Sequence, residues 1–423
     1  MTDVIRLLDG RLFEPIRRNG RRLVGAEAEF PIVGCGRQMD RAAAMRFLAR
    51  LRGGFFTTRS FAADGEQLSA ADAGRNFIIF DSCYHNVEFV LSPRPGLLEL
   101  YRSLRAMIRR AADALAEEGF SLLGLGLFPY GGEPSDRLRN AEDDITRRFL
   151  GGANFFYNIS SEQTHFNCPV EMLPETLSTF ARLDFLFTAI LANSPSVESG
   201  AHCERFFIYK RSPFSKAGLT GCQPDDFDGP GSILEDYAGR ALFNRIRGGA
   251  RELVPLMPMR EYFALPEARA EDVDCFDSFR NLEMSPYGTI EFRLPCAQRV
   301  SEALVPSALA LGLFSNLKEA RAMADELYAK LNHPSPSALL EETARGIHAA
   351  VAPEALESAA RALLDISRRG LLGRGLGEEA LLAPLCLRRR LTLNPAAEFL
   401  CDVERVGFEA AVKARTNIGE ELL

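Results

Sequence analysis

The chain has 423 residues with 47% hydrophobic and 25% charged side chains, a composition typical of a globular protein that can bury a sizeable core. Its formal net charge of -7 argues against a protein whose main partner is the nucleic acid backbone. None of the nine cysteines lies in a CxxC pair, so the sequence suggests neither a zinc ribbon nor a disulfide framework. The first residues lack a signal-peptide pattern and no apolar run has the length of a bilayer span, so we expect a cytoplasmic protein with no membrane partner.

Strand-like and helical patterns alternate along the first 300 residues. The strand-like segments that matter below are RLVGAEAEFPIV (22–33), YHNVEFVLS (84–92), QTHFNCPV (163–170) and GTIEFRLP (288–295). Helical spacing predicts helices over 97–119 and 173–193. From residue 301 onward Ala, Leu, Arg and Glu recur at helical spacing. We therefore predict an α+β fold with a catalytic core over residues 1–300, built on an antiparallel sheet, and a helical region over 301–423 packed on that core.

Each of the four segments carries two polar residues separated by one position. The pairs are Glu27 with Glu29, Asn86 with Glu88, His165 with Asn167, and Glu291 with Arg293. Residues two apart in a strand point to the same face of a sheet. One interpretation is a set of antiparallel strands with one solvated face. The composition instead favours a face on which carboxylates converge. If the strands are adjacent, this face has no lysine and, counting Asp81 just upstream of Glu88, five carboxylates.

Convergence of carboxylates requires positive charge. Two unit charges about 4 Å apart repel by about 4 kcal/mol at an effective dielectric of about 20, and neighbouring carboxylates raise one another's pKa. Carboxylates with one imidazole and no thiolate pattern favour Mg²⁺ or Mn²⁺ over zinc. The motifs GxxxxGK[ST], GxSxG and HExxH do not occur. These observations indicate a nucleotide-phosphate site without a P-loop, in which Arg293 stabilises charge on the transferred phosphoryl group.

Six short motifs occur in an order that is similar to a known enzyme family. They are GAEAEF (25–30), DSCYHNVEF (81–89), LGLGLFP (123–129), THFN (164–167), ANSPS (192–196) and GTIEFR (288–293). Together they resemble the glutamate-cysteine ligases, which belong with the glutamine synthetase-like carboxylate-amine ligases, and the plant and bacterial branch most of all. The motifs span about two thirds of the chain.

The resemblance implies a glutamine synthetase-like concave antiparallel sheet, flanked by helices, that binds ATP and metal ions between its strands. Such enzymes use ATP to phosphorylate the side-chain carboxylate of glutamate, and the amine of a second substrate then displaces phosphate. The positions that match metal or nucleotide-phosphate ligands of the family are Glu27, Glu29, Asp81, Glu88, His165 and Glu291. Arg293 matches the arginine near the γ-phosphate, and Glu29 or a neighbouring carboxylate is the candidate base. The candidate substrate-binding residues are Arg211, Asn167 and Asn86.

Two stretches depart from the plant-like pattern, and both are expected to border the substrate pocket. After LGLG the chain runs Phe128-Pro129-Tyr130-Gly131, and the region after ANSP is rearranged into SVESGAHCERFFIYKR. Because a fold does not determine the substrate, three functions stay open. The first joins L-glutamate to L-cysteine at the expense of ATP, the second uses another amine acceptor, and the third is a non-catalytic protein that binds nucleotide or amino acid. The sequence leaves the oligomeric state open.

Overall fold

The computed structural model describes residues 3–34, 38–51, 57–60, 68–71, 76–81, 83–131, 141–151, 154–331, 335–347 and 351–416. The strands are β1 (Val24–Gly34), β2 (Thr57–Ser60), β3 (Leu68–Ala71), β4 (Phe77–Phe80), β5 (Asn86–Arg94), β6 (Phe120–Leu122), β7 (Glu162–Phe166), β8 (Thr220–Gly221), β9 (Ala241–Arg247), β10 (Ala250–Pro258), β11 (Phe279–Arg280), β12 (Leu282–Met284) and β13 (Ile290–Phe292).

Helices occur between these strands and after the last of them in the chain. The α-helices are α1 (Val4–Leu8), α2 (Glu14–Arg18), α3 (Arg41–Arg50), α4 (Leu97–Ala116), α5 (Ala141–Phe149), α6 (Leu173–Leu191), α7 (Glu204–Arg211), α8 (Pro213–Lys216), α9 (Pro230–Gly239), α10 (Met259–Tyr262), α11 (Val305–Ser315), α12 (Leu317–Lys330), α13 (Pro336–Arg345), α14 (Pro353–Arg374), α15 (Ala383–Leu387), α16 (Pro395–Val406) and α17 (Phe408–Lys413). Short 3-10 helices cover Asn154–Asn158, Val170–Met172, Ala270–Cys275, Val300–Glu302 and Glu378–Leu382, and a π-helical turn covers Asp9–Phe13.

The centre of the fold is a nine-stranded sheet in the order β12-β13-β7-β1-β5-β4-β3-β2, with β6 paired to the last residues of β1. Each pair of neighbouring strands in this sheet is antiparallel. Two further pairs, β9 with β10 and β8 with β11, form small separate sheets. The predicted α+β fold with an antiparallel sheet flanked by helices is confirmed.

One face of the sheet is apolar and packs against helices. Strands β1, β5, β7 and β13 place alternate buried residues on this face, and α4, α6 and α11 contact the sheet. The Phe166 ring lies 4.7 Å from the ring of Phe314 on α11, and the Phe292 ring lies 4.8 Å from that of Phe187 on α6. Burying each phenylalanine stabilises the fold by about 1.5–3 kcal/mol. This burial leaves the opposite face of the same strands for polar side chains.

Both helices that the sequence predicts are present. Helix α4 begins at residue 97 as expected and buries Leu97, Leu100 and Leu104 at helical spacing. It ends at Ala116, and the turn that follows uses Gly119 at φ +76°, a left-handed conformation that favours glycine. The second predicted helix is α6, which ends two residues before the expected end and is buried on most of its surface.

The described residues from Val300 onward form helices and loops. Helix α11 packs on β7 and on α14, and α12, α13 and α14 contact α6. The close approach of α11 and α14 depends on Gly312 and Gly370, because a Cβ atom added to Gly370 would lie 1.9 Å from the carbonyl oxygen of Gly312. The division into a catalytic core and a helical region packed on it stays a proposal.

Within the described residues, no single helix combines the length and apolar character needed to cross a membrane. One pair of segments, Val300–Ser315 and Leu317–Lys330, meets that criterion together but is bent by 93°.

Candidate functional site

The strand order places the four segments with polar pairs side by side, because β13, β7, β1 and β5 are consecutive in the sheet. Residues that pair across antiparallel strands point to the same face. Glu291 pairs with His165, and Glu29 pairs with Glu88. Glu27 lies two residues from Glu29 on the same face of β1. The polar side chains of these strands therefore converge on the face opposite the helices, which we call the carboxylate face and define by Glu27, Glu29, Asp81, Glu88, His165 and Glu291.

Three members of the carboxylate face could hold one metal ion. Glu27, His165 and Glu291 each offer one ligand atom, and these atoms lie within 4.8 Å of one another. The Nε2 atom of His165 lies 3.4 Å from Oε1 of Glu27, and the two side chains are 14% and 25% exposed. Two carboxylates with one imidazole, reachable from solvent, fit a hard divalent cation such as Mg²⁺ or Mn²⁺.

A hydroxyl group orients the imidazole of His165. Oγ1 of Thr289 lies 3.2 Å from its Nδ1 and 2.8 Å from Oγ of Ser285. Thr289 directly precedes β13 and follows Gly288, whose φ is +77° and where an added Cβ would lie 2.3 Å from the carbonyl oxygen of Pro15. When Nδ1 donates to the hydroxyl, Nε2 is the nitrogen with a free lone pair for a metal.

The buried part of the carboxylate face is electrostatically strained. Burial, and then the charges of Glu27 and Asp81, raise the pKa of Glu88 well above its ordinary value. Burial also raises the pKa of Glu29, although the backbone N–H of Ser161 favours its charged form. These shifts favour protons on the face, and a bound divalent cation would displace them.

At the more exposed edge of the face, the pKa values of Glu27 and His165 shift in the directions that favour their charged forms. Burial raises the pKa of Glu27, but the hydrogen bond and charge of His165, together with the charge of Arg293, outweigh it and lower the pKa overall. Burial lowers the pKa of His165, whereas Glu27 and Glu291 raise it and determine its net upward shift. Glu27 and His165 therefore stabilise each other's charged form at the edge of the site.

Glu29 is held rigidly by three donors. Its Oε2 accepts from the backbone N–H of Ser161 at 2.9 Å, and its Oε1 accepts from Oγ of Ser161 and Nε2 of Gln163, both at 2.9 Å. Gln163 lies opposite Glu27 in the β1–β7 register. The Glu29 carboxylate consequently has a defined orientation on the carboxylate face.

Asp81 and Asn86 lie next to each other at the turn between β4 and β5. The Nδ2 atom of Asn86 donates to Oδ2 of Asp81 at 3.4 Å and to the carbonyl oxygen of Ile159 at 3.3 Å, and Oδ1 accepts from Ser160 at 2.8 Å. Asn86 is buried. Its amide thus connects the turn to the loop before β7, and its predicted contact with substrate stays a prediction.

Arg293 follows β13 and is ion-paired with Glu291. Its guanidinium carbon lies 5.8 Å from the centre of the Phe279 ring, and its Nε has no hydrogen-bond partner in the part of the chain that the structure describes. Burial lowers the pKa of Arg293, but Glu291 and the other carboxylates raise it above its ordinary value. Arg293 is therefore a fixed positive charge beside the proposed metal ligands.

The two other predicted substrate residues lie in different surroundings. Arg211 ends α7, pairs with Glu204, and has a side chain that is 63% exposed. Asn167 accepts from the backbone N–H of Leu23 at 3.2 Å and donates to the carbonyl oxygens of Asn19 and Gly288 at 3.4 Å. It connects the loop before β1 to the turn before β13. Their roles toward substrate stay predictions.

The structure adds residues that the sequence analysis did not select. Arg205 on α7 is only 7% exposed, and its charge acts on Glu29. Gln163 and Glu283 face the site by strand register, since they pair with Glu27 and Glu291. The period of two that selected His165 and Glu291 also indicates Gln163, two residues before His165. No comparable signal separates Arg205 from Arg211.

A cavity of 360 Å³ lies near Arg293. Its walls come from α6, α7, β8, β11 and α13, and include Arg205, Tyr209, Phe279 and Leu294. The Phe279 ring is the one beneath Arg293, and Leu294 follows Arg293 in the chain. The cavity therefore reaches residues next to Arg293, although its lining includes none of the residues that define the carboxylate face.

Two solved structures are similar to this chain. The bifunctional glutathione synthetase from Pasteurella multocida is 14% identical with a TM-score of 0.53, and the match covers 100% of this chain and 55% of that chain. The glutamate-cysteine ligase from Francisella tularensis, solved in complex with AMP, is 11% identical with a TM-score of 0.47 and coverage of 95% and 89%. The chain thus shares the fold of the first enzyme and spans about half of its length.

The family assignment rests on a match over most of the chain. The search of curated protein sequences found no match to this chain. The family model of glutamate-cysteine ligase family 2 matches residues 23–406, which include each member of the carboxylate face. The predicted family resemblance is confirmed, and the chain belongs to glutamate-cysteine ligase family 2.

Proposed function

We propose that this protein is an ATP-dependent carboxylate-amine ligase that joins the γ-carboxylate of L-glutamate to the amino group of L-cysteine. The observation that carries the proposal is the group of Glu27, His165 and Glu291 next to Arg293 on one face of the sheet. Family membership supports the same class of chemistry. The products are γ-glutamylcysteine, ADP and phosphate.

The reaction has two steps. The γ-phosphoryl group of ATP moves to a γ-carboxylate oxygen of glutamate, which gives γ-glutamyl phosphate and ADP. The amine nitrogen then attacks the acyl carbon, the bond from that carbon to the phosphate oxygen breaks, inorganic phosphate leaves, and the nitrogen loses a proton. Both steps need positive charge around phosphate oxygens more than they need acid or base catalysis.

Different residues of this chain are proposed to bind the metal ion and to stabilise the phosphoryl group. Glu27, His165 and Glu291 would hold Mg²⁺ or Mn²⁺, with Glu29, Asp81 and Glu88 as the further proposed ligands. Such an ion, when bound, supplies positive charge to the phosphate oxygens.

Two residues have proposed catalytic roles. Arg293 stabilises charge on the transferred phosphoryl group, for which its fixed position beside Glu291 is suited. Glu29 has two alternative proposed roles, metal ligand or base for the amine, and the second applies only when its carboxylate does not ligate the ion; burial raises its pKa, and three donors hold its carboxylate in place.

The test is release of ADP from Mg²⁺-ATP by the purified protein with L-glutamate and with L-cysteine added. We expect turnover to require both amino acids and the product to have the mass of the dipeptide. Glu27→Gln and Glu291→Gln should each abolish metal-dependent turnover without unfolding the protein. The control is Glu354→Gln, which changes an exposed glutamate at the start of α14 and should keep full activity. Near-normal turnover in both site variants would refute the shared metal site.

A second candidate keeps this chemistry and changes the amine acceptor. It is favoured by the cavity beside Arg293, because α7, which supplies part of the cavity wall, belongs to the segment that departs from the plant-like pattern. Glutamate-dependent ADP release that prefers another amine would support this candidate. ATP binding with no turnover for any amine would support a non-catalytic protein instead.

A further inference from the structure

Gln163 is an uncharged side chain among the charged groups of the carboxylate face. It is 6% exposed and pairs with Glu27 across β7 and β1, so the two side chains point to the same face of the sheet. His165 lies two residues further along β7 and points to that face as well. Gln163 therefore lies beside two of the three residues that could hold one metal ion, Glu27 and His165.

Glu29 determines the orientation of the Gln163 amide. The Nε2 atom of Gln163 donates to Oε1 of Glu29 at 2.9 Å and to Oγ of Ser161 at 3.2 Å. An ionised carboxylate only accepts hydrogen bonds, so the nitrogen of the amide, and not its oxygen, must meet Glu29. The oxygen is consequently the end of the amide that remains for another partner.

The Gln163 oxygen has no hydrogen-bond donor. Oε1 is buried and accepts no hydrogen bond from any residue that the structure describes. A buried acceptor without a partner costs free energy. The ionised carboxylates of Glu27 and Glu29 cannot satisfy it, because they too are acceptors. A cation can, and hard divalent ions such as Mg²⁺ and Mn²⁺ bind carbonyl oxygens together with carboxylates.

A neutral ligand suits this crowded face. The charges of Glu27, Asp81 and Glu29 already act on Glu88 and raise its pKa. A further carboxylate would add to this repulsion between like charges. The amide of Gln163 instead offers an oxygen to a cation without adding negative charge.

We propose that Gln163 is a further ligand of the divalent cation, with its Oε1 on the ion that Glu27 and His165 hold and its Nε2 on the carboxylate of Glu29. The inference deepens the proposed function and rests on it for the presence of an ion between these strands. Gln163 is thus a metal ligand and, through its hydrogen bond, a positioning residue for Glu29.

Gln298 is a matched control in another part of the chain. It is 1% exposed, and its Nε2 donates to the carbonyl oxygens of Leu191 and Cys296, both at 2.8 Å. Its Oε1 also has no hydrogen-bond partner within the described ranges. None of these contacts involves the carboxylate face. Methionine at either position removes a buried amide, but only Gln163→Met removes an oxygen from the proposed ion.

The first experiment titrates Mn²⁺ into the full chain and follows free Mn²⁺ by electron paramagnetic resonance. ATP and amino acids are left out, so that turnover is not required. Gln163→Met should weaken Mn²⁺ binding by about tenfold or more, because it removes a ligand and the support of Glu29. Gln298→Met should stay within about twofold of wild type. Wild-type affinity in Gln163→Met, or no Mn²⁺ binding by the wild type, would overturn the assignment.

A second measurement distinguishes a ligand from a residue that acts only through Glu29. The protein is labelled with ¹³C at the side-chain amide carbon of glutamine, and bound Mn²⁺ is studied by electron-nuclear double resonance. The wild type and Gln298→Met should show the coupling of a ¹³C atom bonded to a ligand oxygen, and Gln163→Met should not. Weaker Mn²⁺ binding by Gln163→Met without ¹³C coupling in the wild type would overturn the assignment as a ligand.

Gln163→Glu keeps the test decisive if Gln163→Met does not fold. This variant keeps an oxygen for the ion but removes the labelled carbon, so Mn²⁺ should bind while the ¹³C coupling disappears. A coupling that persists in Gln163→Glu would come from another glutamine and would overturn the assignment. If the wild type shows the coupling but releases no ADP with any amine, the ligase proposal fails while Gln163 stands as a metal ligand.

Discussion

The hydroxyl of Thr289 offers a sensitive test of whether His165 is a metal ligand. Thr289→Val removes this hydroxyl while nearly preserving the shape of the side chain. The variant loses the 3.2 Å contact with Nδ1 of His165 and the 2.8 Å contact with Ser285. The imidazole then lacks the partner that holds Nε2 toward Glu27, so its orientation becomes less defined.

Two magnitudes follow from these contacts. Loss of a partner that orients a metal ligand lowers metal affinity or activity by about 10–100-fold. Loss of two neutral hydrogen bonds lowers the free energy of unfolding by about 1–2 kcal/mol. The expected change in metal affinity is therefore clear in a variant that is only modestly less stable.

The assay titrates Mn²⁺ into the protein and follows free Mn²⁺ by electron paramagnetic resonance, with ADP release measured at the same metal concentrations. Thr343→Val is the matched control, because this buried threonine on α13 donates to the carbonyl oxygen of Leu339 at 2.8 Å, away from the carboxylate face. It should lose stability but keep metal affinity. Equal metal midpoints for both variants would refute orientation of His165 by Thr289.

Three further predictions use the same protein. Arg293→Lys keeps the charge but loses the planar fork, so kcat should fall by about 100-fold, and a rate within fivefold of wild type would remove Arg293 from the chemistry. Burial lowers the pKa of His85 to about 4. The unfolded chain therefore takes up a proton near pH 6.5 that the folded chain does not, and stability should fall by about 2 kcal/mol from pH 7 to pH 5. The free energy of unfolding of His85→Gln, measured in urea, should not show this fall between pH 7 and pH 5. A pH dependence equal to that of wild type would contradict the prediction. Mg²⁺ at 100 times its Kd should raise the free energy of unfolding by about 2.7 kcal/mol in wild type and by much less in Glu27→Gln, and a chelator should abolish the gain.

The alternation of side chains was enough to predict which residues share the carboxylate face. Glu27 and Glu29 lie two apart in β1, and the same period places Glu88 and Glu291 on that face of their own strands. This inference succeeds because side-chain direction in a strand depends on local backbone geometry. Applied to uncharged residues, the same period would also have indicated Gln163.

The choice between Arg205 and Arg211 shows where such local reasoning ends. Six residues in a helix correspond to a rotation of about 600°, so the two side chains point about 120° apart. Both positions in ERFFIYKR carry the same chemistry. Packing of α7 buries the first arginine beside the cavity and leaves the second exposed at the helix end.

The sequence by itself determined the face on which each polar side chain of the core strands lies, because strand periodicity is local. Only the tertiary structure decided that β13, β7, β1 and β5 are neighbours, which brings Glu27, His165 and Glu291 within ligand distance of one ion. It also decided that Arg205, and not Arg211, is the buried cation of the cavity. Strand order and helix orientation result from contacts between residues far apart in the chain, and no short stretch of sequence contains both partners of such a contact.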